Sequence, residues 1–414
     1  MLKKAILFIV VLFSSISSAA ARNDSAQVKQ AWEFFSKGNF TGAEKIADEI
    51  LKNPNNRNEA LHIKANVLFL RGKYKEAIKI YNGISKDYIG YGKVSKLAGE
   101  AYLHAGEMEQ AYLIFAGIDS SKAKSVFLRK EKQFKNRTEK TSIVPFLTTA
   151  PYAAYMPAVS GKINNKETLL RFDTGGSFLI IGTEDASNFN IELKHSYEGQ
   201  AGFSKTKVWF GICDSLKIGE EITLLNVPVE IVESLKGFQI FGTNILEQFL
   251  CTVDYPGQRF IFTPRARTEL FKSHFDMLKG NAEEMPFYLY SDHYMFAHGG
   301  FNELDSLLFF IDTGLLIVNP AGIQAGFNAS KESLLNFGYN DEELEKNKFL
   351  DKSNTISLGI LRQENVLVYY NPKLEKDRVF GEIQTAGLLS HAFLSKYKWT
   401  IDFNANKYYF HLDK

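Results

Sequence analysis

Two textures of apolar and polar positions divide the chain. Between Gln30 and Ser120, apolar and small residues recur at helical spacing, and the pattern itself repeats every 34 residues. Ala31, Ala65 and Gly99 fall in one column, Gly38, Gly72 and Gly106 in a second, and Ala43, Ala77 and Ala111 in a third. The local forms are GNFTGAEKIADEIL, GKYKEAIKIYNGI and GEMEQAYLIFAGI. Each predicts a Gly turn between two helices, an aromatic residue or Met after it, and Ala where helices pack closely. Residues 121–142 carry eight Lys/Arg against two Glu, with Phe127 and Phe134 seven apart. That spacing predicts a solvated helix whose apolar face caps the last repeat, followed by a linker. From Ile143 onward the texture changes to short alternations broken by Gly, Pro and Asn, which predicts β-strands.

The β-rich part holds a longer repeat. VPFLTTAPYAAYMPAVSGKINNKETLLRFDTGG finds an echo in MPFYLYSDHYMFAHGGFNELDSLLFFIDTG. Pro145-Phe146 and Pro286-Phe287 are 141 apart, and Asp173 and Asp312 are 139 apart. Each half also closes alike, with TVDYPGQRFIF and TIDFNANKYYF, so Asp254 and Asp402 read as turn acids. The pattern predicts two copies of one lobe, at residues 143–282 and 283–414. Each copy sets a D-T-G between apolar strands, where burying a carboxylate and weakening a strand with Gly both cost stability. One such triplet is an ordinary turn; a matched pair asks for chemistry.

The N-terminus adds a destination. Lys3 and Lys4 precede the apolar run Ala5 to Phe13 and a small-residue stretch ending Ala19-Ala20-Ala21. This is the order of a secretory signal peptide over residues 1–21, too short for the roughly 20 apolar residues of a membrane span. The mature chain is expected to be exported, periplasmic or extracellular, with no membrane span. Its two cysteines, Cys213 and Cys251, leave a single disulfide and two buried thiols both open. A net charge of +2 gives no reason to expect nucleic acid as a partner. The eight His show no metal-binding spacing, and neither a G-x-S-x-G elbow nor a phosphate-binding Gly loop occurs.

The 34-residue columns resemble tetratricopeptide repeats, over residues 22–120 and without that family's Trp at its first consensus position. Such repeats stack into a solenoid with a core of its own, here either a docking surface for a protein partner or a rigid spacer. The paired D-T-G segment, roughly Ile143 to Lys414, resembles the aspartic peptidases, both pepsin-like and retroviral-like, with the retroviral-like lobe length fitting better. The expected fold class is therefore multidomain, an all-α tetratricopeptide solenoid followed by an all-β bilobal aspartic peptidase fold. The resemblance implies that Asp173 and Asp312 form one dyad, with no homodimer needed to complete it. Two carboxyls so close share one proton; the ionised one acts as base on water and the other donates to the scissile carbonyl. No cofactor or metal is required. Gly175 and Gly314 let each loop turn tightly, and by resemblance the Thr174 and Thr313 hydroxyls bond across to the opposite loop.

Supporting positions match unevenly. IFGTNIL, Ile240 to Leu246, resembles the family's apolar-Gly segment, whereas its counterpart TAGLLSHAF keeps Gly387 but has Thr385. Leu315-Leu316 follow the second Gly, where small residues are usual. Gly176 and Leu315 also lack the hydroxyl that follows D-T-G in acid-active members, which predicts an active window moved toward neutral pH. Tyr197, Gly199 and Gly202, in the stretch Ser196 to Phe203, are candidates for a substrate-covering flap; the alternative is a plain surface hairpin. Two functions follow: an exported endopeptidase acting on peptide or protein substrates, and a catalytically inactive peptide-binding protein that keeps the fold.

Overall fold

The computed structural model describes residues 26–52, 56–201, 204–278, 281–350, 354–373 and 378–412. Residues 1–21, read above as a signal peptide, and Gly202 lie outside them. Seven helices open the described chain: α1 (26–36), α2 (Phe40–Ile50), α3 (Arg57–Leu70), α4 (Tyr74–Tyr81), α5 (Tyr91–His104), α6 (Met108–Ile118) and α7 (Ser120–Glu131). Gly38, Gly72 and Gly106 sit at φ of 84°, 74° and 78° in the turns joining α1 to α2, α3 to α4 and α5 to α6. Only glycine adopts that backbone without strain, which is why this column repeats. The column Ala31, Ala65, Gly99 ends in Gly because a β-carbon there would lie 2.7 Å from the Phe115 ring. Among the described residues, no helix is long and apolar enough to cross a membrane.

Helix α7 begins where Asp119 caps it, its Oδ1 accepting from the N–H groups of Ser121 (3.1 Å) and Lys122 (3.0 Å). It stops at Glu131, so the expected helical face joining Phe127 and Phe134 does not form. Phe127 is exposed, and Phe134 lies beyond the helix with its ring edge-on to Phe178. The buried face is Ala123, Ser125 and Val126 instead.

The β-rich part is bilobal. In the first lobe the hairpin Ala158–Ile163 and Lys166–Phe172 turns through Asn164 and Asn165, both at positive φ, as a tight two-residue connection demands. Asp173 follows, and the chain returns as Leu179–Gly182. The short strand Ile240–Phe241 threads between the arms of this loop, parallel to one (Phe172 opposite Phe241) and antiparallel to the other (Leu179 opposite Phe241). The second lobe repeats the device. Gly387–Leu389 runs parallel to Leu304–Ile311 and antiparallel to Phe327–Ala329, around the loop that carries Asp312.

Both lobes rest on one six-stranded sheet, in which Phe249–Asp254 of the first pairs with Lys398–Asp402 of the second. Thr252 faces Thr400 there, their hydroxyls 2.6 Å apart, and His274 and His411 bond the two hydroxyls at 2.7 and 2.8 Å. A buried polar chain therefore crosses the strand pair that joins the two lobes. Asp254 accepts from Gly257 N–H (2.9 Å) and Asp402 from Asn404 N–H (2.8 Å), the turn roles expected of them. Cys213 and Cys251 are buried free thiols.

The later helices keep apolar cores of their own, Ala65 to Ala101 and Leu103 to Val126, as expected, but the first three also share one with the second lobe. Phe35, Phe40, Ile63 and Leu70 of α1–α3 share one apolar cluster with Phe296, Leu308, Phe310, Leu315, Ile383 and Leu388 of the second lobe. A β-carbon on Gly38 would lie 2.9 Å from Leu308, and the Phe40 and Tyr288 rings meet edge to face at 4.6 Å. Each pattern assigned these residues to its own element; burial of both surfaces together is what removes them from water.

Candidate active site

Both D-T-G loops meet where the lobes meet. Thr174 N–H donates to Thr313 Oγ1 (2.9 Å), and Thr313 N–H donates to Thr174 Oγ1 (3.0 Å). The Thr174 hydroxyl donates in turn to the Ile311 carbonyl of the opposite lobe (2.7 Å). Both threonines are fully buried, so these bonds are made without competition from water. The Thr243 hydroxyl donates to the Thr174 carbonyl (2.9 Å), tying the threading segment to the same loop.

This lock brings Asp173 and Asp312 together, half-buried and in side-chain hydrogen-bond contact. The approach is close enough to dictate the glycines. A β-carbon at Gly175 would lie 2.5 Å from Asp312 Oδ1 and 3.2 Å from Asp173 Oδ1, and one at Gly314 would overlap the Asp173 carboxyl. Each glycine also donates its N–H to its own loop's carboxyl, Gly175 to Asp173 at 2.7 Å and Gly314 to Asp312 at 3.1 Å.

The pair is electrostatically unequal. Burial pushes the Asp312 carboxyl well up, and the neighbouring Asp173 charge pushes it further. Burial also raises Asp173, but the Gly175 N–H, the Asp312 hydroxyl, the Gly314 N–H and the charge of His293 all oppose it. Asp312 therefore holds a shared proton better than Asp173. Burial is the first cause of the rise at both carboxyls. A β-carbon at Gly176 would meet Ile180 Cδ1 at 3.1 Å and Ile240 Cγ2 at 3.5 Å, so that position faces apolar side chains. Leu315 turns into the cluster shared with the solenoid.

Tyr197 and Gly199 lie on the strand His195–Ala201, paired with Ser204–Ile218 in a long hairpin. The Tyr197 hydroxyl donates to Glu230 Oε1 (3.1 Å), and Gly199 packs on Val208. Thr385, the departure in the second lobe, is buried and donates to the Arg378 carbonyl (3.3 Å). Sequence reasoning passed over the neighbours Asp292, His293 and Thr243. The signal for the first two was present: Ala153-Ala154 before Tyr155-Met156 in one lobe becomes Asp292-His293 before Tyr294-Met295 in the other.

A family described as "Aspartyl protease" matches residues 159–246, which include the first D-T-G and the threading segment. A second, described as "Anaphase-promoting complex, cyclosome, subunit 3", matches residues 36–118 within the helical repeats. Among solved structures, a retropepsin-like aspartic protease from Rickettsia conorii is 19% identical, covering 31% of this chain and 94% of its own, at a TM-score of 0.24. The aspartic proteinase from Irpex lacteus is 9% identical, covering 66% of this chain and 98% of its own, at a TM-score of 0.43. No protein of curated function matches the chain.

Proposed function

We propose that this chain is an exported aspartic endopeptidase in which Asp173 and Asp312 activate a water molecule against a peptide bond. The observation that supports it most is the mutual Thr174–Thr313 lock, which sets two carboxyls side by side with a glycine of the opposite loop against each. Asp312, the better proton holder, donates to the scissile carbonyl. Asp173 is the base that takes a proton from water as it attacks. Neither a covalent intermediate nor a cofactor enters. The hairpin of Tyr197 and Gly199 offers backbone groups to an extended peptide, the usual way such a substrate is held. The basic, apolar and small-residue order of residues 1–21 supports export. Docking of substrate or partner falls to faces of the repeats not packed on the second lobe.

Incubation with a diverse peptide mixture, with new ends mapped by mass spectrometry, tests this reading. New ends that disappear in both Asp→Asn variants support the endopeptidase. Peptides retained on the protein with no new ends point to the inactive peptide-binding protein.

A further inference from the structure

A cavity of about 380 Å³ lies where the end of the solenoid meets the first lobe, a volume in the range of small-ligand sites. Its apolar wall is Leu103 of α5, Met108 of α6, Phe134 from the linker after α7, and Phe178 from the loop that follows Asp173. Gly106, in the turn joining α5 to α6, lines the rim; it is exposed, and a β-carbon there would meet nothing within 4 Å.

Two polar groups of the lining are uncommitted. Asn244 is 4% exposed, and its Nδ2 donates to the Asp292 carbonyl (2.6 Å), which fixes Oδ1 as the spare acceptor. Among the described residues Oδ1 has no hydrogen-bond partner. Leaving a buried acceptor unbonded is costly, so the position calls for a donor. Arg129, half-buried near the end of α7, lays its guanidinium over the Phe178 ring, 4.9 Å from the centroid. It has no hydrogen bond or ion pair among the described residues. Burial works against its charge, which a guanidinium does not shed.

The acids nearby are engaged with other cations. Lys122 Nζ lies 3.1 Å from Asp292 Oδ2 and 3.3 Å from Glu100 Oε1. Glu247 Oε1 lies 3.6 Å from both His104 Nδ1 and Arg265 Nη1. His104 Nε2 meets the Ser291 carbonyl at 2.7 Å, so both ring nitrogens face acceptors, as those of an imidazolium do. Burial opposes that charge, but Glu247 overcomes it and holds the imidazole above its ordinary value. Lys122, Arg129, Arg265 and His104 thus outnumber Glu100, Glu247 and Asp292 by one charge.

We propose that this cavity binds the C-terminal residue of a peptide, one with an apolar side chain. The terminal carboxylate pairs with Arg129 and supplies the balancing charge, in the two-bond geometry that guanidinium and carboxylate share. The amide N–H of that residue donates to Asn244 Oδ1. Its side chain lies against Leu103, Met108 and Phe134, and the rest of the peptide leaves past Gly106. A free amino acid fits less well, because its ammonium cancels the charge that Arg129 calls for. The site uses neither carboxyl of the Asp173–Asp312 pair.

Isothermal titration calorimetry of the full chain with N-acetylphenylalanine, the smallest such peptide end, tests the site. Its C-terminal amide lacks the carboxylate and is expected to bind at least about tenfold more weakly. N-acetyl-N-methylphenylalanine lacks the N–H and is expected to bind severalfold more weakly. Arg129→Gln is expected to remove the preference for acid over amide, which a general loss of packing would not do selectively. Met108→Trp, at a half-buried wall position, fills the cavity and is expected to abolish binding of the acid; it carries the test should Arg129→Gln fail to fold. Equal binding of acid and amide by the parent, or binding of the acid unmoved by Met108→Trp, overturns the site. So does a lack of binding of the acid up to about 10 mM, which leaves the cavity to water.

Discussion

Thr174 and Thr313 occupy matching places in the two halves, yet their hydroxyls do unequal work. Thr174 Oγ1 accepts from Thr313 N–H and donates to the Ile311 carbonyl, whereas Thr313 Oγ1 accepts from Thr174 N–H. Valine keeps the shape of threonine and removes the hydroxyl. Thr174→Val therefore strands one N–H and deprives one carbonyl, both buried, while Thr313→Val strands a single N–H. An unsatisfied buried group costs about 1–3 kcal/mol. The carbonyl has a second lone pair and falls at the low end, so the expected losses are about 2–5 kcal/mol for Thr174→Val and about 1–3 kcal/mol for Thr313→Val. Thr174→Ser, which keeps the oxygen, is expected to stay within about 1 kcal/mol of the parent. Urea unfolding of the three variants, compared at equal m-values, measures the order. A Thr313→Val loss equal to or above that of Thr174→Val would refute the asymmetric lock.

Further outcomes follow from the packing and the buried titrating groups. Deleting residues 26–118 uncovers Phe296, Leu308, Phe310, Leu315, Ile383 and Leu388. At about 1.5–3 kcal/mol for each side chain, that is on the order of a whole domain's stability. The truncated chain is expected to bind a hydrophobic dye and to lose amide protection in the second lobe; a soluble lobe pair melting like the parent would show that the solenoid is dispensable. Burial lowers His274 and His391 to about 4, so the unfolded chain binds more protons than the folded one as pH falls from the ordinary imidazole range to that value. Stability is lost in that direction, by up to about 3 kcal/mol for each His. His274→Gln is expected to shrink the drop in urea midpoint between about pH 7 and pH 4.5; an unchanged drop contradicts the assignment. Asp312 acts with the opposite sign. Its raised folded-state pKa makes the folded chain the better proton binder, so its contribution is lost as pH rises, and Asp312→Asn is expected to be more stable than the parent near neutral pH. Denaturant midpoints at about pH 7 decide this, and a less stable variant counts against it.

What the sequence disclosed, and what it hid, divides along the range of the interactions. The columns of Gly38, Gly72 and Gly106 were legible because a positive φ is a local demand that one residue type meets. The two D-T-G loops were legible because the second copy removed the ambiguity of the first. Helix α7 was legible as a helix, but not its end: Phe134 matches a helical spacing that the chain abandons after Glu131. The union of solenoid and second lobe was not legible, since Phe40 and Leu308 satisfy a core pattern whichever core they join. Nor was the hold on Asp292, whose partner Lys122 lies 170 residues away in a run that reads as a solvated basic helix. Thr385 and Leu315, which depart from the family's pattern in the second lobe, are a satisfied hydroxyl and a packed interface residue.

The central claim is that two carboxyls, one from each lobe, share one hydrolytic task. The most direct measurement is kcat/KM on one peptide cleaved by the parent, compared among the parent, Asp173→Asn and Asp312→Asn, with near-ultraviolet circular dichroism to show that all three are folded. Asparagine keeps the shape but neither takes a proton from water nor shares one. The account predicts that each substitution alone lowers kcat/KM by at least about 10³-fold, and that the double variant is no worse than either single, because the two act as a unit. A single variant that cleaves at close to the parent rate would contradict it.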